Sequence, residues 1–152
     1  MTRLRLLLLL AAVLGHGAAV AQMSTQLSDF RSTLDAAVMY DAPTLRAKKL
    51  FVVPRHYPVE VLVTIDHWVR VRDTAGDLAW MEAASRGDKR YVVALANGAD
   101  LRDRPDEQAL VVARARSGVI LELLGAAAPG WLRVRHRDGT SGYVRLSKVW
   151  GG

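Results

Sequence analysis

No cysteine occurs among the 152 residues, only two are phenylalanine, and aromatic residues make up 7% of the chain. The first absence excludes disulfides, thiolate metal sites, thiol nucleophiles and a cysteine-linked lipid anchor. Small exported domains often offset thin cores with disulfides, so any small domain here has to hold together by packing alone. No apolar stretch reaches the roughly 20 residues that a membrane-spanning helix needs. The Gly-x-Ser-x-Gly nucleophile turn and the Gly-rich phosphate loop are missing as well. Beyond the N-terminal segment the histidines are His56, His67 and His136, and they stand at none of the spacings of a metal site. Asp100, Asp103, Asp106 and Glu107 crowd one turn without the glycine and closing glutamate of a calcium loop. Such residues suit side-chain hydrogen bonding to turn backbone. These absences predict a chain with no catalytic site, no cofactor and no metal ion.

What is present is the composition of a folded protein: 51% hydrophobic residues beside 24% charged ones of both signs. Arg3 and Arg5 precede an apolar run from Leu6 to Gly15, and Ala19-Val20-Ala21 forms a small-x-small site before Gln22. That order reads as a signal peptide over residues 1–21, hence as export, with the periplasm as the expected destination and secretion as the alternative. Its removal leaves 19 Lys and Arg against 15 Asp and Glu, so the formal charge falls from +6 to +4. A mildly basic surface suits anionic wall polymers or lipid headgroups and equally serves solubility, while export speaks against nucleic acid as partner. Residues 22–34 are polar and read as a flexible lead-in, extended near Phe30.

From there the chain repeats itself. Residues 68–82, WVRVRDTAGDLAWME, lie over residues 131–145, WLRVRHRDGTSGYVR, at a constant offset of 63. Upstream, Met39 to Pro43 align with Leu101 to Pro105 at an offset of 62. Between these blocks, Lys49 to Val53 is matched with Leu110 to Arg114, and Pro58 to Leu62 with Gly118 to Glu122. Each copy offers about five short strands separated by Pro, Gly and Asp turns. Alternation turns Val69 and Val71, like Leu132 and Val134, toward a core and the intervening Trp and Arg residues away from it. Asp138-Gly139 and Ala75-Gly76 are expected to close tight primed hairpins. The fold class is therefore all-β, as two tandem small SH3-like β-barrels, over residues 35–86 and 91–150, packed on each other across Ser85 to Arg90.

The second copy, from Ala99 to Trp150, resembles a bacterial SH3 domain nearly end to end, through its D-L-R-x-x-P opening, G-W-x-x-V and D-G-x-x-G-Y-V. The first copy resembles a more diverged member. The resemblance implies a non-catalytic attachment or interaction module on an exported protein, acting on peptidoglycan or a wall-associated protein. Alternatively, the chain is a structural component of an envelope complex, engaging a protein partner through a sheet edge or the cleft between barrels. It also implies that Trp131 and Tyr143 match groove aromatics, with Trp68 and Trp80 in the same places of the first copy and Tyr40 as a third. Ala42, Glu82, Arg145 and Lys148 depart from the pattern of proline-rich recognition. Since Trp68 shares a face with Arg70, and Trp131 with Arg133, a ligand combining apolar or sugar faces with negative charge suits these residues. The candidate ligand-binding residues are thus Tyr40, Trp68, Arg70, Trp80, Trp131, Arg133 and Tyr143. Their rings serve equally well as caps on small barrels, and both roles stay open.

Overall fold

The computed structural model describes residues 28–152, and the expected signal peptide lies outside the described residues. Fourteen strands form two seven-stranded antiparallel sheets, each built from one copy. The first holds β1 (Asp29–Thr33), β2 (Ala37–Tyr40), β3 (Lys49–Val53), β4 (Pro58–Ile65), β5 (Trp68–Arg72), β6 (Leu78–Glu82) and β7 (Arg86–Gly87). The second holds β8 (Tyr91–Ala94), β9 (Ala99–Arg102), β10 (Val111–Ala115), β11 (Ile120–Ala126), β12 (Trp131–Arg135), β13 (Ser141–Arg145) and β14 (Val149–Trp150). Strand order is β3-β2-β6-β5-β4-β1-β7 in the first and β10-β9-β13-β12-β11-β8-β14 in the second, the same topology twice. A single 3-10 turn precedes the last strand of each, at Ala83–Ser85 and Leu146–Lys148.

This architecture is the tandem all-β one expected, with two strands more per copy. The extra pairs are β1 with β7 and β8 with β14. Within the stretch read as a lead-in, Asp29–Thr33 form a sheet strand across Phe30: β1 pairs with β4 on one side and β7 on the other. Its alternation is weak because Ser32 and Thr33, both polar, are its buried residues. A strand whose buried positions carry hydroxyls leaves no hydrophobic period to read.

Pairing also corrects the alignment of the two copies. Val53 faces Ala37 as Ala115 faces Ala99, and Glu60 faces Arg72 as Glu122 faces Arg135. The offset is therefore 62 through β3 and the first half of β4, and the matches of Lys49 to Leu110 and Pro58 to Gly118 were out of step. A one-residue slip turns a strand's side chains to the opposite face, and the buried Val53 and Ala115 fix the true register.

Val69 and Val71 lie in one core with Met39, Val59 and Met81, and Leu132 and Val134 in another with Leu101, Leu121 and Val144. The hairpins behind them are not primed. Gly76 N–H bonds to the Asp73 carbonyl at 3.1 Å, and Asp73 N–H to Asp77 at 3.0 Å, which encloses three loop residues. Only Gly76 among these has positive φ, at 90°, and Gly139 repeats it at 93°. This is the three-residue loop whose glycine closes an ordinary turn; the Asp73 carboxylate accepts from the Ala75 and Asp77 N–H groups in the first copy, at 2.9 Å each. In the second copy Asp138 accepts from the Thr140 N–H at 2.8 Å and faces His136 Nδ1 at 3.0 Å. The Thr140 donor first, and then His136, bring its carboxyl down to about 2.

The barrels touch along β1, the turn before β4, and the start of β8. Tyr91 N–H donates to Ser32 Oγ at 2.9 Å. Phe30 meets Trp150 edge to face at 4.9 Å, and His56 stacks on Tyr91 at 4.0 Å with rings nearly parallel. Arg90 Nη2 donates to the Gly151 carbonyl at 2.9 Å. Gly151 itself has φ 105°, and a Cβ there would fall 2.6 Å from that of Pro58, so the two barrels meet where only glycine fits. Thr33 secures the neighbouring turn: its hydroxyl donates to Pro54 at 2.8 Å and accepts from the Tyr57 N–H at 2.9 Å.

Two expectations follow from these contacts. Replacing Thr33 by Val keeps the shape but leaves the Tyr57 N–H and the Pro54 carbonyl with only their long mutual bond of 3.4 Å. Urea denaturation should show a loss of about 1–3 kcal/mol, and Thr33→Ser should recover most of it. The Asp138 carboxyl, whose pKa folding lowers, adds stability that is complete above its unfolded value of about 3.9 and fades as the pH falls past that of the folded state. An NMR titration of this side chain should give a midpoint of about 2; an ordinary carboxylate midpoint would mean that the loop is not held in this way.

Candidate functional site

The outward faces of β2, β6 and β5 assemble one group of the candidate residues. Register places Tyr40 opposite Trp80, and Trp80 opposite Arg70, so the three cross neighbouring strands in a row. Trp68 lies two residues from Arg70 and therefore on the same face. Tyr40 packs its ring edge to face against Trp68 at 5.4 Å. Tyr40 is buried beneath this arrangement, Trp68 and Trp80 are half-buried, and Arg70 is exposed. The result is a shallow aromatic surface with an exposed guanidinium beside it.

In the second barrel the corresponding residues sit differently. Arg133 is exposed opposite the half-buried Tyr143, which in turn faces Arg102. Trp131, however, is only 4% exposed. The Arg145 guanidinium lies over its ring, 4.4 Å from the centroid, and is held there by an ion pair with Glu107. Glu107 also reaches Arg102 at 3.8 Å, Arg102 lies 3.7 Å from Asp100, and Asp100 binds Arg114 at 3.0 Å. An alternating chain of charges thus runs across β13, β9 and β10 and ends as a lid on the tryptophan. A polar cavity of about 210 Å³ beside it is lined by Asp100, Arg102, Glu107 and Arg145.

The first barrel has none of this chain. Glu82 stands opposite Trp68 where Arg145 stands opposite Trp131. Tyr40 takes the place of Arg102, and the cross-strand pair Val38 and Val52 that of Asp100 and Arg114. A carboxylate cannot cover an indole face as a guanidinium does, since the ring presents negative charge there. Trp68 is accordingly left open, and Val52, Phe51 and Leu50 along the outer strand β3 are exposed with it. The bare edge of β3 is the counterpart of an edge that β10 guards with Arg114.

The lid was not foreseen from the sequence. In the sequence Arg145 stands out only as a departure from the groove pattern, although its position opposite Trp131 follows from the hairpin pairing. A cleft between the barrels is among the expectations from the sequence, and the residues that line it are not. There Pro54, His56, Tyr91, Ile120 and Arg137 border a cleft of about 730 Å³. No pattern in either copy announces these residues, because the walls come from segments that are far apart in the chain. Among the described residues no three His, Asp or Glu side chains converge as metal ligands would.

Comparison with known proteins agrees with the tandem repeat. The family model described as bacterial SH3 domain matches residues 34–85 and again residues 96–151. No curated protein matches the sequence. Among solved structures, NlpC2 from Trichomonas vaginalis shows 16% identity and a TM-score of 0.37, covering 83% of this chain and 49% of its own. NlpC1 from the same organism shows 17% identity and a TM-score of 0.37, covering 86% of this chain and 48% of its own. The chain thus spans about half the length of each.

Removing the lid should change how accessible Trp131 is. Arg145→Ala is expected to raise the acrylamide quenching of intrinsic tryptophan fluorescence while Trp68, Trp80 and Trp150 contribute as before. Glu107→Gln should produce part of the same increase by releasing the guanidinium. Unchanged quenching in both variants would mean that the ring is enclosed by the barrel itself.

Proposed function

The chain belongs to the bacterial SH3 domain family in two tandem copies, and from that premise we propose that it is an exported, non-catalytic binding module of the cell envelope. Bacterial SH3 domains commonly act as non-catalytic modules that bind cell-wall components. Peptidoglycan is the proposed ligand and the periplasm the proposed location. The first barrel does the binding, and the observation that carries this reading is the uncovered Trp68 face with Tyr40 beneath it and Arg70 beside it. A flat ring next to a cation matches a polymer of sugars joined to acidic peptides: the ring packs against the sugar's C–H face and the guanidinium meets a carboxylate. The second barrel, its Trp131 covered, supports and orients the first.

One observation favours a second reading. The outer edge of β3, unpaired among the described residues and with Leu50, Phe51 and Val52 exposed, suits a protein partner that adds a strand to the sheet, as in an envelope scaffold. The two readings part in one experiment. On the first, purified sacculi retain the protein, and Trp68→Ala or Arg70→Ala weakens retention roughly tenfold with little change in melting temperature. Absence of retention, together with a stoichiometric crosslink from β3 to one envelope protein, would support the second. A Trp68→Ala variant that melts much earlier but still binds would assign that ring to the barrel and not to a ligand.

A further inference from the structure

The turn between β3 and β4 breaks a local rule that its twin obeys. Tyr57 N–H bonds back to the Pro54 carbonyl as Val119 N–H bonds back to Arg116, so residues 54–57 and 116–119 form equivalent turns. In both, the third residue alone has positive φ: 80° at Gly118 and 66° at His56. Glycine is the residue for that position, and an L side chain there costs roughly 1–2 kcal/mol. The first copy nonetheless places a histidine there, with an arginine before it. Backbone strain of this kind is retained where a side chain has to be presented in a particular direction.

That direction is into the cleft at the barrel junction. His56 lies flat against Tyr91, the first residue of β8, so the ring pair forms one wall. Pro54, Val119 and Ile120 supply apolar surface, and the open cleft's volume of about 730 Å³ is within the range of small-ligand sites. Charges around it are unevenly partnered. Arg135 is tied to Glu122 at 2.9 Å, and Lys89 lies 3.5 Å from the same carboxylate. His136 is tied to Asp138. Arg55 and Arg137, one from each barrel, are exposed and face no carboxylate among the described residues; Arg55 Nε donates only to the Leu34 carbonyl, at 3.2 Å. Burial and the neighbouring Arg55 lower the pKa of His56, so its ring is an uncharged stacking surface at neutral pH.

We infer that the inter-barrel cleft is a second binding site, for a short acidic peptide whose carboxylates meet Arg55 and Arg137 and whose aliphatic side chain lies on Pro54, Val119 and Ile120. Two planar guanidiniums without a carboxylate partner among the described residues match carboxylates by paired hydrogen bonds. Glu122, fixed in the wall, repels a dense polyanion such as a polyphosphate, and a peptide carries fewer charges with apolar surface between them. None of Tyr40, Trp68 and Trp80 lines this cleft, so the site does not depend on the sacculus-binding face.

The test uses the whole mature chain and fluorescein-labelled Ala-Glu-Leu-Glu, read by fluorescence anisotropy. The amidated Ala-Gln-Leu-Gln analogue and tripolyphosphate serve as comparisons. Saturable binding of the acidic peptide is expected, with the neutral analogue failing to bind and tripolyphosphate competing poorly. Arg137→Ala should weaken binding about tenfold or more, as removal of one charge-assisted contact does. Arg55→Ala should do the same, and because Arg55 also touches the Leu34 carbonyl, the Arg137 variant decides the matter if the Arg55 variant melts early. Arg46→Ala removes the same charge from an exposed loop outside the cleft and should leave the affinity unchanged. Equal binding of the neutral peptide, an equal loss in Arg46→Ala, or tighter binding of tripolyphosphate than of the peptide would each overturn the inference.

Discussion

Two hydroxyls on adjacent residues of β1 join the barrels into one frame. Ser32 and Thr33 are the only polar side chains fully buried among the described residues. In a strand, neighbours point to opposite faces, so the two hydroxyls serve different partners. Ser32 accepts from the first residue of the second barrel, and Thr33 both donates to and accepts from the turn that opens β4. A buried hydroxyl without a partner costs more than a satisfied one contributes, which makes these bonds selective for a single arrangement. The His56 and Tyr91 stack, the Phe30 and Trp150 contact and the cleft between the barrels all follow from where that strand and turn are held.

On this frame one strand pattern yields two different surfaces. Trp-x-Arg-x-Arg recurs in β5 and β12 with the same residues facing inward, yet Trp131 is covered and Trp68 is open. The difference lies in the neighbouring strands. Glu107 and Arg145 form a lid in one barrel, and their counterparts in the other are Leu45 and Glu82, which cannot form it. Where Asp100 and Arg114 guard an edge in the second barrel, Val38 and Val52 leave it bare in the first. Both copies keep an ion pair between β4 and β5 or between β11 and β12, Glu60 with Arg72 and Glu122 with Arg135. Exposed or half-exposed pairs of this kind contribute little to stability. Their recurrence marks shared architecture, and the unshared residues mark the faces on which the copies differ.

The legible part of this protein was the part with period and punctuation. The alternation in WVRVR and WLRVR announced strands and assigned their inner valines to cores, and the constant offset announced a duplicated all-β unit. Strand β1 escaped because its buried residues are Ser and Thr, which carry no hydrophobic period. The hairpin type escaped because Asp-Gly serves more than one loop, and only the hydrogen-bond partners of Asp73 and His136 count its residues. The lid over Trp131 was present as Arg145 and Glu107, but 38 residues separate them, and only antiparallel pairing puts one above the ring beside the other.

The sequence by itself thus determined the fold class, the repeat and the inward face of each principal strand, because those depend on local alternation and on turn residues. Tertiary structure alone decided which tryptophan is open, which edge is bare, and that Arg55, His56, Tyr91 and Arg137 border one cleft. Exposure is a property of neighbours across strands and between barrels, and an offset along the chain cannot state it. The strained turn at His56 shows the difference most directly. In sequence it is one residue aligned with Gly118; in the structure it is a left-handed backbone that turns an aromatic ring against the other barrel.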